Sequence, residues 1–332
     1  MAYERVTIKD IAFSIGVSTA TVSNVINGKT KKISAETVSL VEQKLEEMGY
    51  LPRQARILMG KNPAKLIGLI INDHEKYESH PLEDGYLAKL VNSLSLEAEK
   101  RNYLLIVKLT KNIDDIPFLA SIWNMSAVLV QGFCEIDYQK LKRKMHKPLI
   151  IFDGFFPIND RYINLEVNHF EGGVVAGKYL KKMGHEKVLC LSDNNICMDN
   201  LRYEGLLSVL PKSQIMIIPN LQKERSEFYK REYKSILAYS AVFCVSDYYA
   251  LDFIKNITSL GFKVPKDISV LGFDDIAVSS QLSPSLTTIS QDCKLRAQIT
   301  FDIVKEAEAN PLLTKNIVIP VSVVERESVI KK

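Results

Sequence analysis

The sequence predicts an all-α headpiece followed by an α/β core of two lobes built on parallel sheets. Three observations carry that expectation. The first fifty residues hold three short apolar helix stripes separated by glycine stops. From Lys65 onward, strand-like runs alternate with helical stretches. The basic excess is gathered at the N-terminal end. Residues 1–61 carry nine basic and six acidic side chains, whereas the rest carries 34 and 33. Such asymmetry points to a nucleic-acid-binding end.

A chain of 332 residues is long enough for more than one domain, at roughly 150 residues each. The expected division is a headpiece over 1–50, a linker over 51–64 and a core over 65–332. Composition is ordinary, with 46% hydrophobic and 25% charged residues, and excludes little. The five cysteines, 134, 190, 197, 244 and 293, contain no C-x-x-C. They read as thiols in a reducing compartment, not as disulfides or metal ligands. No stretch approaches the roughly 18 apolar residues of a membrane span. The expectation is a cytoplasmic protein with no membrane association.

Thr7 is placed to cap a first helix with Ile8, Ile11, Ala12 and Ile15 on one face. Gly16 stops it. Ser18 caps a second helix, Thr19 to Asn27, with Val22, Val25 and Ile26 inward. Ser34 caps a third, whose stripe is Val38, Val41, Leu45 and Met48. Two short helices joined by a tight glycine turn, with small Ala12 at their crossing, fit a helix-turn-helix. A generic three-helix bundle shares the spacing.

The headpiece sequence carries more than spacing. Its elements T-I-K-D-I-A, G-V-S-x-x-T-V-S-x-V-I-N-G and G-Y-x-P resemble the lac repressor/galactose repressor family of bacterial regulators. The resemblance implies that the second helix enters the DNA major groove. Thr19, Ala20 and Asn24 match its base-reading positions. Thr7, Ser18, Thr21, Ser23 and Asn27 match positions that hold phosphates or flank bases. Lys31, with Lys29 and Lys32, suits phosphates or a solvated loop. Asn pairs bidentately with adenine, whereas arginine favours guanine. The family often has arginine where Asn24 stands, so a different operator is expected.

The segment LPRQARILMGKNPAKL matches the family's hinge, which implies a helix formed on DNA that wedges a leucine into the minor groove. Ala55, Arg56 and Leu58 match its A-R-x-L pattern, with Leu58 as the wedge. Pro52 lies six positions before Leu58, one fewer than the family pattern.

In the core, strand-like runs fall at 66–71, 103–109, 127–132, 148–154, 162–167, 187–193, 215–219, 241–247 and 268–274. Leu87, Leu90, Val91, Leu94 and Ala98 mark one helix between them. Alternation of this kind predicts parallel sheets covered by helices. Nine strands suit two lobes with a cleft between strand ends. The motifs G-H-E-K-V at 184–188, L-R-Y-E-G at 201–205, S-D-Y-Y-A-L at 246–251, I-S-V-L-G-F-D-D at 268–275 and P-S-L-T-T-I-S-Q-D at 284–292 extend the family resemblance along the whole chain. It implies a periplasmic-binding-protein-like core, with an N-lobe over about 65–167 and 293–315 and a C-lobe over about 168–290 and 316–332.

The resemblance further implies a homodimer on pseudo-palindromic double-stranded DNA. It implies a repressor of a carbohydrate-use operon, governed by a sugar or sugar-like effector between the lobes. Arg202 and Asp274 match ligand-holding positions, and Ser246 stands where the family usually has asparagine. Asp153 ends a strand, and Phe155 and Tyr248 offer sugar-stacking rings. Asp153, Asp247 and Asp275 also read as solvated or helix-capping acids. HEKYESHPLEDG after the first strand and Ser126-Ala127 before the third depart from the family, which points to an altered or lost pocket. Control by a protein partner, or none by a small molecule, is the alternative; a solute-binding receptor is a third class.

Enzymatic motifs are missing: there is no Walker A, G-x-G-x-x-G, H-E-x-x-H or G-x-S-x-G. His74 and His80 have no metal-ligand spacing, and His169 and His185 read as caps or surface. No cofactor, metal or catalytic residue is expected.

Overall fold

A computed structural model describes residues 6–27, 29–48, 50, 65–77, 79–154 and 162–332. The headpiece consists of α1 (Ile8–Ile15), α2 (Thr19–Ile26) and α3 (Ala35–Glu47). Ile11, Val22 and Val41, one from each helix, are fully buried and form its centre with Ala12, Val25, Leu45 and Tyr50. Gly16 turns the chain between α1 and α2 at φ 67°, a left-handed conformation costly for residues with a Cβ.

The first core sheet contains β1 (Lys65–Asn72), β2 (Tyr103–Thr110), β3 (Ala127–Gln131), β4 (Leu149–Phe152) and β5 (Ile163–Val167). Its helices are α4 (Gly85–Lys100), α5 (Ile116–Ile122) and α6 (Glu135–Lys144). The chain then crosses to α7 (His169–Lys182), β6 (Val188–Ser192), α8 (Cys197–Val209) and β7 (Gln214–Ile217). There follow α9 (Gln222–Ile236), β8 (Ala241–Cys244), α10 (Asp247–Ser259), β9 (Ser269–Asp274) and β10 (Thr287–Gln291). It crosses back in α11 (Cys293–Ala309), adds β11 (Lys315–Ile319) to the first sheet and ends with β12 (Val321–Val324) in the second.

The orders are β11-β5-β4-β3-β1-β2 and β12-β10-β9-β8-β6-β7. All pairings are parallel except that of β10 with β12. Two expectations need correction. Twelve strands form among the described residues, not nine. The polar run Thr287–Gln291 was missed because buried hydroxyls satisfy one another's backbone: Thr287 Oγ1 accepts from Arg326 N at 2.9 Å, and Ser328 Oγ accepts from Thr287 N at 2.8 Å. The last crossing falls near Pro320 rather than after 315, because β11 pairs with β5.

Each sheet reverses its winding at one strand, β1 between β2 and β3 and β6 between β7 and β8. Helices start in opposite directions on either side of such a strand. This leaves a crevice at its carboxyl end, where α/β folds bind ligands. The apolar interiors keep these ends in place. Ile67, Leu69, Leu129, Phe152 and Phe301 are fully buried in one lobe, and Leu191, Phe243, Phe253 and Phe273 in the other.

Candidate functional sites: an exposed helix and an interlobe cleft

Thr7 and Asp10 form a reciprocal cap on α1. The Thr7 amide donates to Asp10 Oδ2 at 2.7 Å, and Thr7 Oγ1 accepts from the Asp10 amide at 3.3 Å. This box, Thr7-x-x-Asp10, escaped the sequence reading. Ser18 Oγ caps α2 by accepting from the Thr21 amide at 3.0 Å. Burial of Val22 and Val25 on α1 forces the opposite face of α2 outward. Ser18, Thr19, Ala20, Asn24 and Asn27 are exposed, and Thr21 and Ser23 are half-buried. Asn27 Nδ2 donates to Ser23 O at 2.7 Å, so part of its polar capacity stays inside the helix. Lys29, Lys31 and Lys32 follow and are exposed. The helix itself carries no charged side chain. Arg56, Leu58 and Ala55 lie outside the described residues.

The second site is the cleft between the lobes, with about 700 Å³ of space open to solvent. Its walls are strand ends: Gln131 closing β3, Asp153 after β4, Ser246 after β8, Asp274 closing β9 and Gln291 closing β10. Arg202 on α8 and Tyr248 on α10 complete it. Of the sequence-predicted effector residues, Asp153, Arg202, Ser246, Asp274 and Tyr248 are therefore brought together. Phe155 lies outside the described residues.

Arg202 is placed by an unusually close helix pair. A Cβ on Gly173 of α7 would stand 2.0 Å from Arg202 O, and one on Gly205 would stand 2.0 Å from Phe170 O. Only glycine lets these backbones meet. The guanidinium lies on the Phe273 ring, 3.8 Å from its centroid. It donates to Val245 O and to His169 Nδ1, from Nε at 3.3 Å. Asp199 is 3.6 Å away.

Asp153 has a different neighbourhood from the one expected. Arg296 of α11 grips both its oxygens, NH1 to Oδ2 at 2.7 Å and NH2 to Oδ1 at 2.9 Å. The pair is almost wholly buried, with side chains 1% and 3% exposed. Asp153 Oδ1 also accepts from the Val167 amide at 3.1 Å, and His169 Nε2 stands 3.5 Å from it. Burial alone would raise this carboxyl, but Arg296 and His169 hold it well below the usual carboxylate range. The solvated-acid reading of Asp153 fails on this burial.

His169 and His185 are likewise not surface or capping groups. Asn168 caps α7, accepting from the Glu171 amide. His169 is 4% exposed, and burial followed by the Arg202 charge lowers its pKa, which favours the neutral ring. His185 links Ser240 Oγ at 2.9 Å to Ile330 O at 3.1 Å.

Asp274 takes φ 119° and accepts from Gln291 Nε2 at 2.6 Å. Burial pushes its carboxyl well above the ordinary value, against the opposing pull of Arg202. Asp247 does not cap α10; it is fully buried and accepts from Ser279 Oγ, Thr288 Oγ1 and the Ile276 amide. Ser246 performs the capping, accepting from the Tyr249 amide at 3.4 Å. Tyr248 meets Arg225, whose NH2 donates to its hydroxyl at 3.0 Å. Asp275 is bound by Arg326 at 2.6 Å. The sequence reading missed Arg296, His169, Gln131 and Gln291. Gln291 was visible within the motif ending at Asp292; the others carry no local signal, because distant strand ends bring them together.

Both parts of the chain match known proteins. Residues 7–53 match the model of bacterial regulatory proteins, lacI family, and residues 178–329 match a periplasmic binding protein-like domain. The chain is 32% identical over 306 residues to the HTH-type transcriptional repressor PurR of Pasteurella multocida, covering 86% of each chain. The chain belongs to the lacI family. The PurR repressor of Mannheimia succiniciproducens is 31% identical over 300 residues, again with 86% of each chain covered. Among solved structures, the lac repressor bound to ONPG in its repressed state aligns with TM-score 0.67 and 25% identity over 98% of this chain and 100% of that one. The regulator CelR with cellobiose aligns at TM-score 0.68 and 17% identity, over 98% and 100%, a likeness of fold. As a lacI-family member, the protein is a DNA-binding transcriptional repressor with a ligand-binding-type core. Among the described residues, no helix is long and apolar enough to cross a membrane.

Proposed function

We propose that this repressor acts in the cytoplasm as a homodimer on a pseudo-palindromic operator of a carbohydrate-use operon, and that a sugar or sugar-like molecule in the interlobe cleft controls it. The observation that carries the DNA part is the outward face of α2. Thr19, Ala20 and Asn24 stand exposed beside Ser18 and Asn27, with no carboxylate on the helix to repel phosphate. A two-fold dimer would set two such helices in successive major grooves. Arg56 and Leu58 would act in the hinge.

The control part is supported by a cleft formed at both switch points and lined by Arg202 and Asp274. A ligand there shifts DNA affinity only through different affinity for the DNA-competent arrangement. No enzymatic role is proposed. Selection of binding sites from random duplex DNA, followed by footprinting, tests the reading. Two protected half-sites related by a dyad are expected; protection without dyad symmetry, or none, would sink it.

A second reading is control by a protein partner without a small molecule. The internal pairing of Asp153 with Arg296 and of Arg202 with Val245 favours it. It predicts no thermal stabilisation by any sugar at millimolar concentration, since bound ligand stabilises by mass action.

A further inference from the structure

The headpiece and the N-lobe touch. Helix α3 packs against α5, and His146 Nε2 stands 3.7 Å from Glu46 Oε1 of α3. The Lys147 ammonium lies close enough to Glu46 for each charge to favour the ionised form of the other. Glu42, one helical turn before Glu46, shares its ridge, and both are half-buried. The charges are complementary. Helix α3 carries Glu36, Glu42, Glu46 and Glu47 against the single cation Lys44. Such a helix repels phosphate and suits the side of the headpiece away from DNA.

The lobe answers with the run Lys140, Lys142, Arg143, Lys144, His146 and Lys147, and the sequence has no carboxylate between Asp137 and Asp153. Lys140 and Lys144 meet Asp137 and Asp114 at 3.9 and 3.2 Å, and Lys142 lies over the Tyr162 ring. His146 and Lys147 turn to α3. The platform beneath them is braced. Lys147 Nζ donates to Asn124 Oδ1 at 2.8 Å, two residues past α5. At the other end of α6, Tyr138 Oη accepts from the Phe133 amide at 3.0 Å, and Asn72 Nδ2 donates to Gly132 O at 2.8 Å. The docked headpiece keeps Thr19, Ala20 and Asn24 exposed. Docking therefore leaves the reading face open while it removes freedom that DNA binding would otherwise have to freeze.

We propose that the N-lobe holds the headpiece directly, through α5 and the turn at His146 and Lys147, and that this contact, together with the linker, sets how the reading helix meets operator DNA. It is a second connection between core and headpiece. Exposed ion pairs contribute little by themselves, so reversing a charge, which turns attraction into repulsion, reads the contact best. His146 is largely exposed, so its replacement leaves the lobe folded.

The full chain is titrated with two duplexes of equal length, one carrying an operator recovered by selection and one without it. The ratio of the two affinities cancels the uniform effect of an altered charge on phosphate attraction. His146→Glu sets a carboxylate against Glu46 and is expected to lower that ratio about fivefold. Glu46→Lys alone should lower it about threefold, and the two together should return it to within about twofold of the parent. An unchanged ratio in His146→Glu, or a double variant whose loss is the product of the single losses, overturns the proposal. In the parent without DNA, a carbodiimide, which joins touching carboxylates and amines, should link Glu46 to Lys147 within one chain. A peptide map with no link between residues 42–47 and 140–147 overturns the docking itself. If the parent selects no operator, the DNA reading fails separately, and the peptide map still decides the docking.

Discussion

Arg296 and Asp153, separated by 143 positions in the chain, form a bidentate ion pair sealed inside the N-terminal lobe at the floor of the cleft. Asp153 sits at the end of β4 with φ 52°, and Arg296 rises from the first turns of α11 after that helix crosses from the other lobe. The pair therefore ties the crossover helix to a strand end of the first sheet. His169, at the start of the other crossover helix α7, touches the same carboxylate. Two of the three interlobe connections meet at one buried charge.

Removing one partner of such a pair leaves the other uncompensated, which typically costs about 3–5 kcal/mol. Arg296→Met is expected to destabilise the core by that order in urea unfolding. Asp153 and Arg296 replaced together by Asn and Met should recover part of the loss. An Arg296→Met variant as stable as the parent would show that the pair is not formed in solution. Because the Asp153 carboxyl is held below its unfolded value, its contribution is present above about pH 4 and lost as pH falls below that.

Asp247 works in the opposite direction. Burial is the largest influence on its carboxyl, which is pushed up to about 6 despite hydrogen bonds from Thr288, Ser279 and the Ile276 amide. The unfolded chain releases this proton near pH 4. Folded stability is thus greatest below about pH 4 as far as this group is concerned, and declines as pH rises to 6. The difference is at most about 3 kcal/mol. The stability gap between the parent and Asp247→Asn, followed by urea unfolding between pH 4 and 6.5, should change by that order with this sign. A gap independent of pH would place the Asp247 pKa near its unfolded value.

Gly173 controls how closely α7 and α8 approach. Gly173→Ala would drive a methyl group to 2.0 Å from Arg202 O, so the helices must separate. Overpacking of this kind costs about 1–3 kcal/mol or more. A lowered melting temperature together with altered operator response to ligand is expected, since Arg202 moves with the backbone. Full retention of stability would mean that the two helices do not pack this closely.

On the headpiece, Asn24→Ala and Lys31→Ala should separate base reading from phosphate neutralisation. Asn24→Ala should relax base preference at one position per half-site, at about 1–3 kcal/mol of discrimination. Lys31→Ala should weaken all sequences alike and reduce the slope of log K against log salt by about 1 for each phosphate that Lys31 neutralises in the parent. Binding-site selection with the two variants, and a salt titration of the second, check this. Unchanged base preference in Asn24→Ala removes that residue from the reading set.

The helix-turn-helix was legible in the sequence because its determinants are local. Thr7, Gly16 and Ser18 act on backbone within four positions, and the Ile11, Val22 and Val41 stripes have helical period. Alternating strands and helices announced parallel sheets for the same reason: apolar runs and their spacing are properties of neighbouring residues. Arg202 and Asp274 became visible only within motifs shared with related repressors. Pairing across the fold was beyond reach. Nothing near Asp153 signals Arg296, and nothing near His169 signals that it bridges Asp153 and Arg202. The polar strand Thr287–Gln291 and the return strand Lys315–Ile319 needed their partners to be recognised. The sequence by itself determined the elements and the outward face of α2. Only the tertiary structure decided which buried charges are neutralised within the protein and which carboxyls burial pushes toward the neutral form, because desolvation depends on everything packed around a group.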